Sequence, residues 1–326
     1  MPRERNWLSL ILHPKMYGFS PHRLITRALA CTFGKRTLSI YATLTWMKIL
    51  VFGATGMLGK ALIRRWKEDE VWGLGSAQAD IRNPTQVDEV VSKAAPDWVV
   101  LSAAYTDVDG CELNPTLAST VNTHGAVNVA NAAAQVSSRL LFISTDYVFD
   151  GNHSTPYEIT DPRNPISSYG KTKAEAEEKI LRILPDSCIV RTSWLFGPGG
   201  KCFPDTILKL AGSRPQLEVV NDQRGCPTYT GDLADAIVRL CQADARGIVH
   251  ATNRGDCTWY EFACEILRQA GSNTVVRATT SDKFVRPAPR PKYSVLAPRS
   301  LAAHGIEMRP WPETLGEYFA RRAAPG

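Results

Sequence analysis

Tyr169 and Lys173, in the stretch Tyr169-Gly-Lys-Thr-Lys173, set a phenol and an ammonium four residues apart. On a helix that spacing places both side chains on one face. A phenol has an unperturbed pKa near 10, and the expectation from sequence is that the lysine charge lowers it towards the range of a general acid. Upstream, Gly53-Ala-Thr-Gly56-Met-Leu-Gly59 follows the apolar run Lys48-Ile-Leu-Val-Phe52. Glycines there let a chain approach a pyrophosphate at a helix N-terminus. Between the two motifs, Ser144-Thr145-Asp146 ends the apolar segment Arg139-Leu-Leu-Phe-Ile. Its hydroxyls are expected in a cleft, where one can donate to a carbonyl oxygen that gains negative charge; helix or turn capping is the bland alternative, and a structural role suits Asp146. In this order, the three read as the parts of a nicotinamide-dependent oxidoreductase.

The elements that hold these residues follow from periodicity. Lys48–Phe52, Val71–Leu74, Trp98–Ser102, Arg139–Ser144 and Cys188–Thr192 are strands, short apolar runs of the kind buried on both faces of a parallel sheet. Helices are expected at Met57–Trp66, around Val87, Val90, Val91 and Ala94, at Thr116–Gln135 and at Ser168–Leu184. The alternation predicts an α/β fold, a Rossmann-type doubly wound parallel sheet. After Trp194 the texture changes, with Gly197-Pro-Gly-Gly200, a helix at Trp259–Ala270 and the proline-rich run 286–291. The predicted division is a nucleotide-binding domain over 47–195 and a smaller, partly discontinuous C-terminal substrate lobe over 196–326, with some segments returning to the first domain. Lys171, Glu175, Glu177, Glu178 and Lys179 read as a solvated helix face with no chemistry.

The formal charge of +6 is confined to one end. Residues 1–46 hold seven Lys or Arg against the single acid Glu4, leaving 31 residues of each sign in 47–326. The body is therefore formally neutral and gives no reason to invoke nucleic acid. No apolar run reaches the roughly 18 residues a membrane helix requires. Eight cysteines without a Cys-x-x-Cys pair read as reduced thiols of a cytoplasmic protein. Because Met47 opens directly onto the first strand, the basic extension 1–46 reads as a disordered segment or a mis-assigned start, with a targeting role as the alternative.

The second strand ends in Leu74-Gly-Ser76 without the acid that would bind a ribose 2′-hydroxyl, so NADPH and NADH both remain open. Asp80 and Ile81 are expected near the adenine. Ser102-Ala-Ala-Tyr-Thr106 supplies small residues against which a cofactor can pack, or simply a tight strand-to-loop turn.

The chain resembles the dTDP-4-dehydrorhamnose reductases, members of the extended short-chain dehydrogenase/reductase family. The resemblance is carried by 48–59, Ala103-Ala-Tyr-Thr-Asp-Val-Asp109, Ser144-Thr-Asp-Tyr-Val-Phe-Asp-Gly151, Tyr169–Lys173, Arg191-Thr-Ser-Trp194, Asn221-Asp-Gln-Arg-Gly-Cys-Pro-Thr228 and Arg290-Pro-Lys. It implies reduction of the C4 ketone of a dTDP-linked 6-deoxysugar, with Tyr169 protonating O4, Thr145 polarising the carbonyl and Lys173 holding the nicotinamide ribose. It further implies that Gly53, Gly56, Met57, Leu58, Gly59, Asp80, Ile81, Ala103, Ala104 and Thr106 touch cofactor, and that Asp146 and Trp194 touch the dTDP-sugar. Magnesium at a dimer contact occurs in some members; neither a metal site nor a homodimer can be placed from this sequence. A 4,6-dehydratase is disfavoured, since Thr145-Asp146 is followed by Tyr147 rather than by a second carboxylate. An epimerase stays open. So does the NADP-binding regulatory subunit of methionine adenosyltransferase, although a pure binder has no need of a poised phenol.

Overall fold

A computed structural model describes residues 24–33 and 36–323. In the basic extension, Leu24–Phe33 and Arg36–Thr45 pair as an antiparallel hairpin running from Leu24↔Thr45 to Phe33↔Arg36. Residues 1–23 of the extension lie outside the described residues.

The body is built on six strands: β1 (Lys48–Phe52), β2 (Glu70–Leu74), β3 (Trp98–Leu101), β4 (Arg139–Thr145), β5 (Cys188–Thr192) and β6 (Gly247–His250). Their order across the sheet is β2-β1-β3-β4-β5-β6. The pairs β1–β3, β3–β4, β4–β5 and β5–β6 are parallel. The chain leaves β1 for β2 on one side and returns to β3 on the other. That reversal opens a crevice at the strands' carboxyl ends, where open α/β sheets bind ligands.

Among the described residues there are eight longer helices, shared between the sheet and the lobe: α1 (Met57–Arg65), α2 (Pro84–Ala94), α3 (Gly125–Gln135), α4 (Ser168–Ile183), α5 (Phe203–Ala211), α6 (Thr230–Gln242), α7 (Trp259–Gln269) and α8 (Trp311–Ala323). Alternation along each strand sends Leu50, Phe52, Val99, Leu101, Leu140, Phe142 and Ile189 to one face. There they form a core with Val87, Val91 and Ala94 of α2, Val129, Ala130 and Ala133 of α3, and Ala176 and Ile180 of α4. Alanine dominates α3 and lets it lie close to the strands. α1 packs against α6, so α6 and β6, from the second half of the chain, belong to the sheet rather than to the lobe.

The lobe has its own aromatic core, with Phe196, Tyr229, Phe262, Trp311 and Tyr318 buried together. Short strand pairs frame it. Leu195–Phe196 pairs in parallel with Thr228–Tyr229, Gln216–Val220 in parallel with Val275–Thr279, and Arg224–Gly225 antiparallel with Cys257–Thr258.

One expected element is interrupted. The run 116–135 is not a single α-helix: Pro115–Ala118 leads into a π-helical stretch, Ser119–His124, before α3 begins. Side chains in the widened turn make bonds that a regular helix would not present in this way. Asn122 accepts from Tyr105 N at 2.8 Å and donates to Thr172 Oγ1 at 3.2 Å, and Thr123 donates to Thr172 O at 3.0 Å. The irregularity thus fastens the loop after β3 to α4, and π-turns recur at functional sites for this kind of reason.

Candidate active site

The site begins where β1 turns into α1. Gly53 has φ +85°, and a Cβ on it would stand 2.6 Å from Ala103 N. A Cβ on Gly59 would stand 2.1 Å from Gly53 O. Only glycine allows the turn and the close packing of α1 on it. Gly56 caps α1 without any side-chain hydrogen bond, and no acid stands in the first turn. The unpaired N–H groups and the positive end of the helix dipole therefore face the crevice, as an anion-binding helix end does.

That crevice is a cleft of about 580 Å³. Its wall includes Gly53, Gly56, Met57, Leu58 and Gly59 from the first turn; Ala103, Ala104 and Thr106 after β3; Thr145 and Asp146 after β4; Tyr169 and Lys173 of α4; and Trp194 after β5. All of these were singled out from sequence.

Asp80 and Ile81 are different: neither lines the cleft. The Asp80 carboxylate is taken by Arg82, whose Nη2 is 2.5 Å from Oδ2 and holds the carboxyl below its usual range. Ile81 is buried in the core, where its side chain fills the space beside Gly125.

Ser167 caps α4 by accepting from Gly170 N at 3.2 Å, which fixes where the helix starts. Tyr169 and Lys173 then project from one face. Lys173 is 2 % exposed; its Nζ donates to Ile143 O at 2.7 Å and lies 3.8 Å from the Phe142 ring centroid. Burial pulls the ammonium down to about 7, with the Glu177 charge acting the other way. The phenol of Tyr169 moves opposite to expectation. Burial pushes it well above its ordinary value, a Thr145 hydrogen bond offsets part of the rise, and Lys173 is not among the causes. The Lys173 ammonium is turned to the β4 backbone instead. For a group that must give up a proton to substrate, a raised pKa still keeps the proton in place at pH 7.

Ser144 and Thr145, adjacent on a strand, point to opposite sides. Both residues line the cleft; the Thr145 hydroxyl lies towards Tyr169 and donates to Asp146 Oδ1 at 2.9 Å. Ser144 Oγ turns away and donates to Glu177 Oε1 at 2.5 Å. Asp146 is buried, its carboxyl raised to about 7 by burial while the nearby hydroxyls of Ser294 and Thr145 pull it back; Oδ2 has no hydrogen-bond partner.

Glu177 is the residue that sequence reasoning misplaced. It is fully buried, not solvated. Arg191 Nε and Nη2 donate to its two oxygens at 2.9 and 2.7 Å, and Arg163 adds a contact at 3.4 Å. The available signal was its spacing: Tyr169, Lys173 and Glu177 recur every four residues on one face. Glu175, by contrast, pairs with Lys179 at 2.8 Å on an exposed face.

Further wall residues were given no role from sequence, although Tyr147 and Ser193 lie within stretches that carry the resemblance. Tyr147 packs edge-on against Tyr169 with ring centroids 5.9 Å apart. Trp259 stacks on Trp194 at 3.5 Å and 5°. Ser76, Ser193 and Lys201 also line the cleft.

The family model described as the RmlD substrate binding domain matches residues 47–323, the whole body of the chain. The chain belongs to the dTDP-4-dehydrorhamnose reductase family. A dTDP-4-dehydrorhamnose reductase of Streptomyces griseus is 41% identical over 293 residues, covering 85% of this chain and 96% of that protein. The spore coat polysaccharide biosynthesis protein SpsK of Bacillus subtilis is 42% identical over 279 residues, 85% of this chain and 98% of that one. Among solved structures, dTDP-4-dehydrorhamnose reductase from Bacillus anthracis in complex with NADP superposes with TM-score 0.83 at 36% identity, covering 85% of this chain and 100% of that chain.

Stretches far apart in the sequence, which carried the family resemblance, meet in space. Asp109 receives Arg290 Nη1 at 2.6 Å and Nη2 at 2.9 Å. Arg286 adds a contact at 3.3 Å, and the carboxyl is held down at about 2. This clamp ties the proline-rich segment to the loop after β3. Among the described residues, no three His, Cys, Asp or Glu side chains gather as a metal site, and no helix is long and apolar enough to cross a membrane. Cys111, Cys188, Cys202, Cys226, Cys241, Cys257 and Cys264 are free thiols.

Proposed function

We propose that the protein reduces the C4 ketone of dTDP-4-dehydro-L-rhamnose to dTDP-L-rhamnose with NADPH or NADH, supplying a nucleotide sugar for cell-surface polysaccharide. The reading is carried by one observation: Thr145, Tyr169 and Lys173 share a cleft with an uncapped helix N-terminus, in a chain of this reductase family. Gly53 and Gly59, where a Cβ would clash with the backbone of Ala103 and of Gly53, let the turn pack tightly, and that turn carries the helix N-terminus at which a dinucleotide pyrophosphate would sit.

The bound nicotinamide supplies a hydride. The protein's part is to place the ketone and manage the proton. Tyr169, held protonated by burial, gives its proton to O4 as charge grows there. The Thr145 hydroxyl, beside it, turns its single proton from Asp146 Oδ1 to the same oxygen and stabilises that charge. Lys173, anchored to Ile143 O, has two further N–H bonds with which to hold the ribose hydroxyls. Asp146 and Trp194 line the sugar side. No magnesium ion enters this scheme.

Tyr169→Phe tests the assignment. It should leave folding and NADPH affinity unchanged while lowering turnover by roughly 10²–10⁴-fold, the loss expected for a general acid. Turnover equal to wild type would remove Tyr169 from the reaction.

A further inference from the structure

Trp194 is held in an unusual way. Its φ is +46°, a left-handed conformation that a bulky residue adopts only when the surroundings impose it. On one side its ring lies on Trp259, centroids 3.5 Å apart and planes 5° from parallel. It is also pressed against Gly225: a Cβ there would stand 2.6 Å from the indole Cε2 and 2.7 Å from Nε1. The two contacts come from a single device in the lobe. Gly225 pairs with Cys257, and Arg224 with Thr258, in the short antiparallel ladder that runs straight into α7. Thr258 caps α7 with a reciprocal bond to Glu261. Arg224 then ties this corner together, with Nη1 2.6 Å from Asp256 and Nη2 3.0 Å from Glu261. Trp259, the first residue of α7, is thereby fixed opposite Gly225, and Trp194 enters between them from the end of β5.

We infer that Gly225 and Trp259 form a slot that locks the Trp194 indole as a wall of the sugar compartment, making both of them specificity-determining positioning residues for the nucleotide sugar. This rests on the proposed reductase function. The dinucleotide-binding elements are the ends of β1 and β3 with Lys173 of α4, whereas Trp194 follows β5 and is gripped by Gly225 and Trp259 of the lobe. The pyranose of a 6-deoxysugar carries C–H groups and a methyl group, which pack against the rim of the indole left open to the cleft, at no rotamer cost once the slot has ordered it. A loose Trp194 would have to be ordered on every binding event.

The test combines Michaelis constants for the dTDP-4-keto sugar, calorimetric binding of dTDP-L-rhamnose, NADPH affinity and Tm. It is applied to the full-length wild type, Trp259→Phe, Trp259→Leu and Gly225→Ala. Trp259→Leu removes the stack and Gly225→Ala fills the slot from the other side. Each is expected to raise KM and the product Kd about tenfold, with NADPH affinity within about twofold of wild type, and Trp259→Phe is expected to recover most of the loss. A lowered Tm with unaltered KM and product affinity in these variants would make the slot mere packing and overturn the inference. An equal loss of NADPH affinity would overturn it too. Should Trp259→Leu fail to fold, Gly225→Ala and Trp259→Phe decide the matter. A wild type that binds NADPH but neither turns over the sugar nor binds the product would instead refute the reductase reading itself.

Discussion

Replacing Arg191 with Met removes a guanidinium that is 1 % exposed from a carboxylate, Glu177, that is fully buried. Because neither group reaches solvent, screening does not soften the loss, and breaking such a pair typically costs about 3–5 kcal/mol. The two ends of the pair are not equal. After Arg191→Met, Glu177 keeps Ser144 at 2.5 Å and Arg163 at 3.4 Å, so the cost should fall near the lower figure. After Glu177→Met, Arg191 is left facing His250 Nε2 at 3.4 Å, an imidazole that burial pushes down to about 3 and keeps neutral. That variant should lie near the upper figure. The double variant leaves no fully buried orphan charge, only the Ser144 hydroxyl without its acceptor and the part-exposed Arg163, which keeps Ala174 O at 3.0 Å, a penalty of about 1–3 kcal/mol. It should therefore be more stable than Glu177→Met alone. Urea unfolding of wild type, both single variants and the double variant completes the cycle. A double variant destabilised by the full sum of the singles would refute the view that one buried pair joins α4 to β5.

Three further outcomes follow from the structure. Lys173→Met should weaken NADPH binding about tenfold or more, the worth of hydrogen bonds from a charged donor, and normal cofactor affinity would remove Lys173 from the ribose. The same substitution carries a pH signature. The folded-state pKa near 7 lies below the unfolded value of about 10.4, so between those limits the unfolded chain binds more protons and wild-type stability rises with pH. That rise should be missing in the variant, as denaturant midpoints at neutral and alkaline pH will show. Asp109, held at about 2 by Arg290, stabilises the fold above its unfolded pKa of about 3.9. Its contribution is lost as pH falls through about 2. Asp109→Asn should lack that acid-sensitive component, measurable as a flatter dependence of Tm on pH between about 4 and 2.

Much of the nucleotide-binding half was legible because its determinants are local. The run Lys48–Phe52 announces a buried strand, the three glycines that follow leave only a tight turn, and the Tyr169–Lys173 spacing needs only a helix to become a face. What the sequence hid depends on partners brought by the fold. Glu177 looks solvated among other charges until Arg191, on a neighbouring strand, is placed against it. Asp80 pairs with Arg82 two residues on, a contact that the strand and helix pattern does not announce. Trp259 and Trp194 are 65 positions apart, and nothing local indicates that they stack. The π-helical turn at 119–124 likewise arises from Asn122 and Thr123 reaching for Tyr105 and Thr172, contacts that no helical periodicity encodes. The fall of the Tyr169 pKa, expected from a neighbouring ammonium, failed for a similar reason: spacing gives proximity, while burial and the direction of Lys173 Nζ decide the electrostatics.

The most direct test of the central claim follows the hydride. The full-length protein is given NADPH deuterated at the transferring position of the nicotinamide, together with dTDP-4-dehydro-L-rhamnose, and the product is isolated. The account predicts dTDP-L-rhamnose carrying one deuterium, at C4, formed as NADPH is consumed. Product without deuterium at C4, or no reduction by a folded protein that binds NADPH, would contradict it.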